Sequence, residues 1–237
     1  MSQEAVSRLD KQGRTDEVPG KRQYVMRRRA DLVAATRERI AAAAMRLHTT
    51  VGPSGTSIAA IAAEAGVTRL TVYHHFASQD ELFVACMAHW AALHPRPNVS
   101  AWPSAGGFEQ RARHGLRELY RWYAEVGEDL YPIHRDIALV PAGARRAIES
   151  GQDGLASALV GDVHVAGEDR RRLLAVAGHL VKVETWRSLC VEQGLSCDDA
   201  VEVGVAFLES LSRRGAAPRR MRERGAAVRM ARRPLPR

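Results

Sequence analysis

Residues 56–83 read T-S-I-A-A-I-A-A-E-A-G-V-T-R-L-T-V-Y-H-H-F-A-S-Q-D-E-L-F. Two short helices and the start of a third are written in this stretch. Ser57 is placed to cap the first, and Ile58, Ile61, Ala62 and Ala65 follow at helical spacing. Gly66 ends that helix, because glycine enters the left-handed region without steric cost. Thr68 caps the second, and Val67 and Val72 are spaced as a hydrophobic staple. The second helix runs to about Phe76. Ser78 and Glu81 are spaced as a capping box for the next. Helix, glycine turn and helix in so short a span is the pattern of helix-turn-helix DNA readers.

At 100° per residue, Val72 and Phe76 share one side of the second helix and are expected in a core. Leu70, Thr71 and His74 lie opposite, flanked by Tyr73 and His75. With Arg69, this face carries hydroxyl, imidazole, phenol and guanidinium groups, which can meet base edges and phosphates. An ordinary αα-corner would share the spacing alone. It would not need two capped helices, the turn glycine and the outward T-x-x-H-H face together.

The stretch resembles the N-terminal domain of the tetracycline-repressor (TetR) family of bacterial transcriptional regulators. The resemblance is carried by I-A-x-x-A-G-V-T (61–68), T-V-Y-H-H-F (71–76) and S-x-x-E-L (78–82), with matching over about residues 36–90. The outward face of the second helix assigns sequence preference to Arg69, Leu70, Thr71 and His74; donors near helix ends, together with the resemblance, imply that Ser57, Thr68, Tyr73 and His75 mainly hold phosphates. The family usually has a phosphate-touching lysine after the serine of the third motif. Gln79 stands there in this chain, so that charged contact is absent.

The formal charge of +8 is unevenly spread. Residues 1–30 carry +4, residues 31–90 carry −1, residues 91–212 carry −4, and residues 213–237 carry +9. The basic pI therefore belongs to the ends, and DNA binding is inferred from the helix-turn-helix rather than from charge. A non-specific nucleic-acid-binding protein driven by its basic termini is one alternative reading, and an all-α enzyme is another. No metalloprotease, nucleotide-binding or nucleophile motif is present, so no catalytic residues are assigned. Cys86, Cys190 and Cys197 match no metal spacing and are expected as free thiols. No cofactor, metal or membrane partner is expected, and the absence of a bilayer-length apolar run or signal-like N-terminus points to the cytoplasm.

Along the chain, residues 1–30 are expected to be a disordered basic arm in which Arg28, within the run 27–29, reaches DNA phosphates or a minor groove. Residues 31–93 form the DNA-binding domain. Its first helix spans 31–50 with the stripe Val33, Ile40, Ala44, Leu47 and Val51, and its fourth runs from Ser78 to Leu93. Residues 94–107 are a Pro- and Gly-rich linker. Residues 108–212 form a second helical block: a helix over 108–126, a break at Gly127–Pro132, a short helix to Val140, then helices over 141–160, 168–193 and 198–211. Residues 213–237 are read as a disordered tail. The fold class is all-α.

The last two helices carry more apolar residues than one small domain covers, including Leu173, Leu174, Val203, Phe207 and Leu211. That surplus suggests a homodimer built on a four-helix bundle. The family resemblance implies an effector pocket in the same block. Trp122, Tyr123, His134, Glu184 and Trp186 are the candidate lining, with Tyr120 and Tyr131 as further aromatics. The expected partners are a palindromic double-stranded operator, a second copy of the chain and a small-molecule effector of unread identity.

Overall fold

The computed structural model describes residues 19–102, 106–165 and 167–216. Of the expected tail at 213–237, residues 213–216 are helical and end the last helix, while 217–237 and residues 1–18 of the expected basic arm lie outside the described residues. Nine α-helices are present among them: α1 (Pro19–Thr50), α2 (Ile58–Glu64), α3 (Arg69–His75), α4 (Gln79–Leu93), α5 (Gly107–Arg135), α6 (Ala142–Val160), α7 (Gly167–Leu180), α8 (Val183–Trp186) and α9 (Cys197–Ala216). The fold is all-α. It pairs a helix-turn-helix domain (α1–α4) with a helical second domain (α5–α9).

The first helix begins twelve residues before the expected start at residue 31, so 19–30 are helical rather than disordered. Pro19 suits a first helical position, and the Lys, Arg, Gln and Met residues that follow are good helix formers. Tyr24 and residues 26–35, Arg28 among them, are exposed. Val33 and Val51 were expected in the buried stripe and are exposed as well. Ile40 and Ala44 of the expected stripe are buried, joined by Ala41, Met45 and His48, and pack against Leu82, Phe83, Cys86 and Trp90 of α4. His48 Nδ1 lies 3.5 Å from Cys86 Sγ, and its ring sits 5.0 Å from that of Phe83.

The second domain departs from the expected pattern twice. Gly127 and Pro132 do not break α5, which is continuous over 29 residues. Gly127 lies within the helix with the Trp186 ring against it, where a Cβ would come within 2.3 Å of that ring. Pro132 falls in the last turn, and the short helix expected after it is only a 3-10 turn, Ile137–Leu139. The single helix expected over 168–193 is divided. Lys182 is extended (φ −80°, ψ 140°), and the carbonyls freed at the end of α7 are taken by side chains. Tyr120 Oη donates to the Leu180 carbonyl (3.1 Å), Tyr123 Oη to Val181 (2.7 Å) and Thr185 Oγ1 to His179 (2.6 Å). Such caps satisfy groups that a helix end would otherwise leave unpaired. After α8 a π-turn, Arg187–Glu192, leads to Gly194 (φ +72°) and α9.

α5 packs on α9 and α8, α6 on α7, and α7 on α9. The domains meet where α1 touches α5 and α4 touches α6. At the corner after α1, Ser54 donates from its N–H (2.9 Å) and hydroxyl (2.5 Å) to Asp136 Oδ2, while Arg135 Nη2 donates to the Val51 carbonyl (3.1 Å).

Candidate nucleic-acid interface and inner cavity

The helix-turn-helix is held by local chemistry that the sequence spells out. Ser57 Oγ accepts from Ala60 N (3.1 Å) and Thr68 Oγ1 from Thr71 N (3.1 Å), and the Thr68 hydroxyl also shares a hydrogen bond with the Thr71 hydroxyl (2.9 Å). Gly66 has φ +63°, and Val67 N bonds to Ala62 O (2.9 Å) in a Schellman closure of α2. Ser78 caps α4 through Glu81 N (3.1 Å). The expected reciprocal bond is displaced by one residue: Glu81 Oε2 accepts from Ala77 N (2.8 Å) instead of Ser78 N.

Arg37, which sequence reasoning passed over, fixes this corner. Its guanidinium bonds to the His75 carbonyl, pairs with Glu81 Oε1 (2.7 Å) and lies 4.1 Å over the Phe76 ring. The Arg37 hydrogen bond, aided by the Ala77 N–H, holds the Glu81 carboxyl below its usual range. Burial, then the charges of His74 and Arg37, lower the His75 imidazole, favouring its neutral form.

The structure sets the candidate DNA residues on one surface around α3. Leu70 is 79% exposed and Tyr73 59%; Arg69 and His74 are exposed, while Thr71 and His75 are half-buried. Arg69 has no ion-pair partner among the described residues. Ser57, Arg69, Tyr73 and Gln79 border one cleft of about 470 Å³, whose far side is formed by Leu139 and Pro141 of the second domain. Leu70 and His74, one turn apart, lie outside that cleft. Arg28 belongs to the exposed start of α1.

Within the second domain, a small cavity holds about 40 Å³, room for roughly three waters. Trp122, Tyr123 and His134 line it, as expected. Glu184 and Trp186 do not: Trp186 is spent against Gly127, and Glu184 stands behind His134, with Oε1 3.6 Å from His134 Nδ1. Burial raises the Glu184 carboxyl, but the hydrogen bond with His134, its own backbone N–H and the charges of His134 and Lys182 outweigh this and leave it lowered. Tyr120 is fully buried with its hydroxyl used at the α7 end, and Tyr131 lies under the Arg187 guanidinium, 4.3 Å away. Leu119, Leu130, Ile133, Leu155 and Arg96, none of them on the expected lining, complete much of the wall. Arg96 carried a readable signal, a lone cation between prolines in H-P-R-P.

No helix among the described residues is long and apolar enough to cross a membrane. No cluster of His, Cys, Asp and Glu among them could hold a metal ion.

Three solved structures share the fold. A transcriptional regulator from Rhodococcus sp. Rha1 aligns with a TM-score of 0.51 and 22% identity, covering 73% of this chain and 95% of its own. A candidate fatty acid metabolism regulator from Clostridium perfringens gives 0.51 and 15%, over 72% and 97%. A candidate tetR-family transcription regulator from Shewanella sp. PV-4 gives 0.50 and 19%, over 73% and 95%. At these identities the likeness is one of fold. No curated protein matches the chain. Residues 40–86, from the buried middle of α1 through the helix-turn-helix to Cys86, match the profile of the bacterial regulatory proteins of the tetR family. Over this segment the chain is similar to the bacterial regulatory proteins of the tetR family.

Proposed function

We propose that the protein is a homodimeric repressor that binds a palindromic operator and is released by a small ligand held in α5–α9. The observation that carries the reading is the doubly capped α2–α3 pair with Leu70, Tyr73 and His74 standing free on α3. In this reading Arg69, Leu70, Thr71 and His74 meet base edges. Ser57, Thr68, Tyr73 and His75 hold phosphates, and Arg28 adds a backbone contact beyond the operator core.

Support for the dimer comes from α9. Val201, Val205 and Leu208 are consumed by the protomer core, whereas Val203 and Phe207 are about half exposed on the opposite face. Leu174 and Val176 of the neighbouring α7 are only partly covered. Two such faces closing on each other give a four-helix bundle and set two copies of α3 in successive major-groove turns, about 34–36 Å apart or a multiple of that.

The test is selection of bound sequences from random duplex DNA, followed by a screen for metabolites that release them. Inverted repeats with a constant half-site spacing are expected. Selected sites without any inverted repeat, or a monomer at micromolar concentration, would sink the dimeric reading.

A further inference from the structure

We propose that Arg96 is the anion-binding group of the inner site, and that the effector is an apolar monocarboxylate, an alkyl or aryl acid. The inference rests on the effector reading above and specifies its chemistry.

Two spaces adjoin at Arg96. One is the 40 Å³ cavity under Trp122; the other is an apolar groove of about 270 Å³ between α4 and α6, walled by residues such as Val84, Trp90 and Ala147. Met87, Arg96 and Ile148 border both. Together they come to the low end of the volumes small-molecule sites occupy, roughly 300–1,000 Å³. The two spaces thus share one wall, with the Arg96 guanidinium in it.

The polar groups of these walls are almost all donors. Arg96 has no ion-pair partner among the described residues. Trp122 lines the cavity and Trp90 the groove, and the Nε1–H of each is buried without an acceptor. Buried donors left unpaired are costly and rare enough to ask for a ligand. Neither wall contains an aspartate or glutamate. The remaining polar side chains are engaged: Tyr123 Oη donates to the Val181 carbonyl, and Gln152 Nε2 lies 3.5 Å from His134 Nδ1. A site with one unpaired cation, spare N–H donors and otherwise apolar walls complements one carboxylate on an apolar body. A cationic ligand would face Arg96 without a counter-charge.

Arg96 is also prepared for the role. Pro95 and Pro97 restrict the backbone on either side, which lowers the entropy lost on ordering it. Its Nη1 rests on α6 at Gly151, where even a Cβ would sit 3.1 Å away. A guanidinium so placed can take a carboxylate through two parallel N–H bonds.

The experiment titrates octanoate and phenylacetate, their primary amides, and octylammonium into the full chain. Tryptophan fluorescence and calorimetry read binding, and anisotropy of labelled operator DNA reads release. The carboxylates should bind more tightly than the amides. Arg96→Gln should weaken carboxylate binding roughly 10- to 100-fold and leave amide binding unchanged. Leu155→Trp, which fills the cavity, should block both. Carboxylates that fail to bind, or that bind Arg96→Gln as well as the parent, overturn the inference. Amides or octylammonium that bind and release DNA independently of Arg96 would overturn the carboxylate while preserving the effector reading. Carboxylates that bind through Arg96 and leave operator affinity unchanged would preserve the site and overturn the effector reading.

Discussion

Asp136 Oδ2 accepts two hydrogen bonds from Ser54, one from its backbone N–H and one from its hydroxyl, and so ties the end of α5 to the corner after α1 across 82 residues of sequence. Gly52 permits the approach: it has φ +83°, and a Cβ there would lie 2.4 Å from that oxygen. Hydrogen bonds from Arg135 and Ser54 hold the Asp136 carboxyl far below its usual range, so the tie stays charged at any physiological pH. Two residues before it, His134 borders the inner cavity. A change in the cavity wall therefore has a short covalent route to the DNA-binding domain. Asp136→Ala should leave unliganded operator binding nearly intact and shrink the ligand-induced loss of affinity. A coupling of about 1–3 kcal/mol is typical of such linked sites. Operator titrations with and without ligand measure it, and an unchanged ratio of affinities would remove the tie from the coupling path.

His48 should make the fold acid-sensitive. Burial lowers its imidazole to about 4, against 6.5 in an unfolded chain. The unfolded state then binds more protons between those values. Stability is complete above about pH 6.5 and is lost as pH falls toward 4, by on the order of 3 kcal/mol. Urea unfolding at pH 7.5 and pH 5 measures the slope. His48→Gln should flatten it, and an identical slope in the variant would assign the acid branch to other groups.

Arg69→Ala should cost about 1–3 kcal/mol on the selected operator if its guanidinium makes a bidentate base contact. Its loss on random DNA should be smaller. Equal losses on both would move Arg69 to the phosphate backbone, with its cleft neighbours Ser57 and Tyr73.

Gln79→Lys should restore a phosphate contact at the first turn of α4. Binding to operator and random DNA should then tighten alike. The log–log salt slope should steepen by about one unit, which competition titrations at several salt concentrations would read. An unchanged slope would mean that residue 79 does not reach the backbone.

Phe207→Glu should split the proposed dimer. It replaces a half-exposed ring on the outer face of α9 and leaves the protomer core untouched. Sedimentation should show a folded monomer with weakened operator binding. A dimer that survives would place the interface elsewhere.

The sequence by itself determined the helix-turn-helix, because every device that builds it is local. The Ser57, Thr68 and Ser78 caps and the left-handed Gly66 act within a few residues, and all four are as expected. The exposure of Leu70 and His74 follows from the same 100° rotation that buries Val72 and Phe76. Tertiary structure decided what distant residues impose. Gly127 and Pro132 read as a break, yet α5 is continuous, with the Trp186 ring packed on Gly127 and Pro132 in the last turn. A helix expected to run unbroken over 168–193 stops at Lys182, because Tyr120, Tyr123 and Thr185 take its last carbonyls. Glu184 and Trp186 lie on a helix whose face could be read, but which neighbours fill that face depends on packing between α5 and α8. The cavity wall, the Arg37 clamp and the Ser54–Asp136 tie join residues 38 to 82 positions apart or more, and no period of 3.6 residues carries that information.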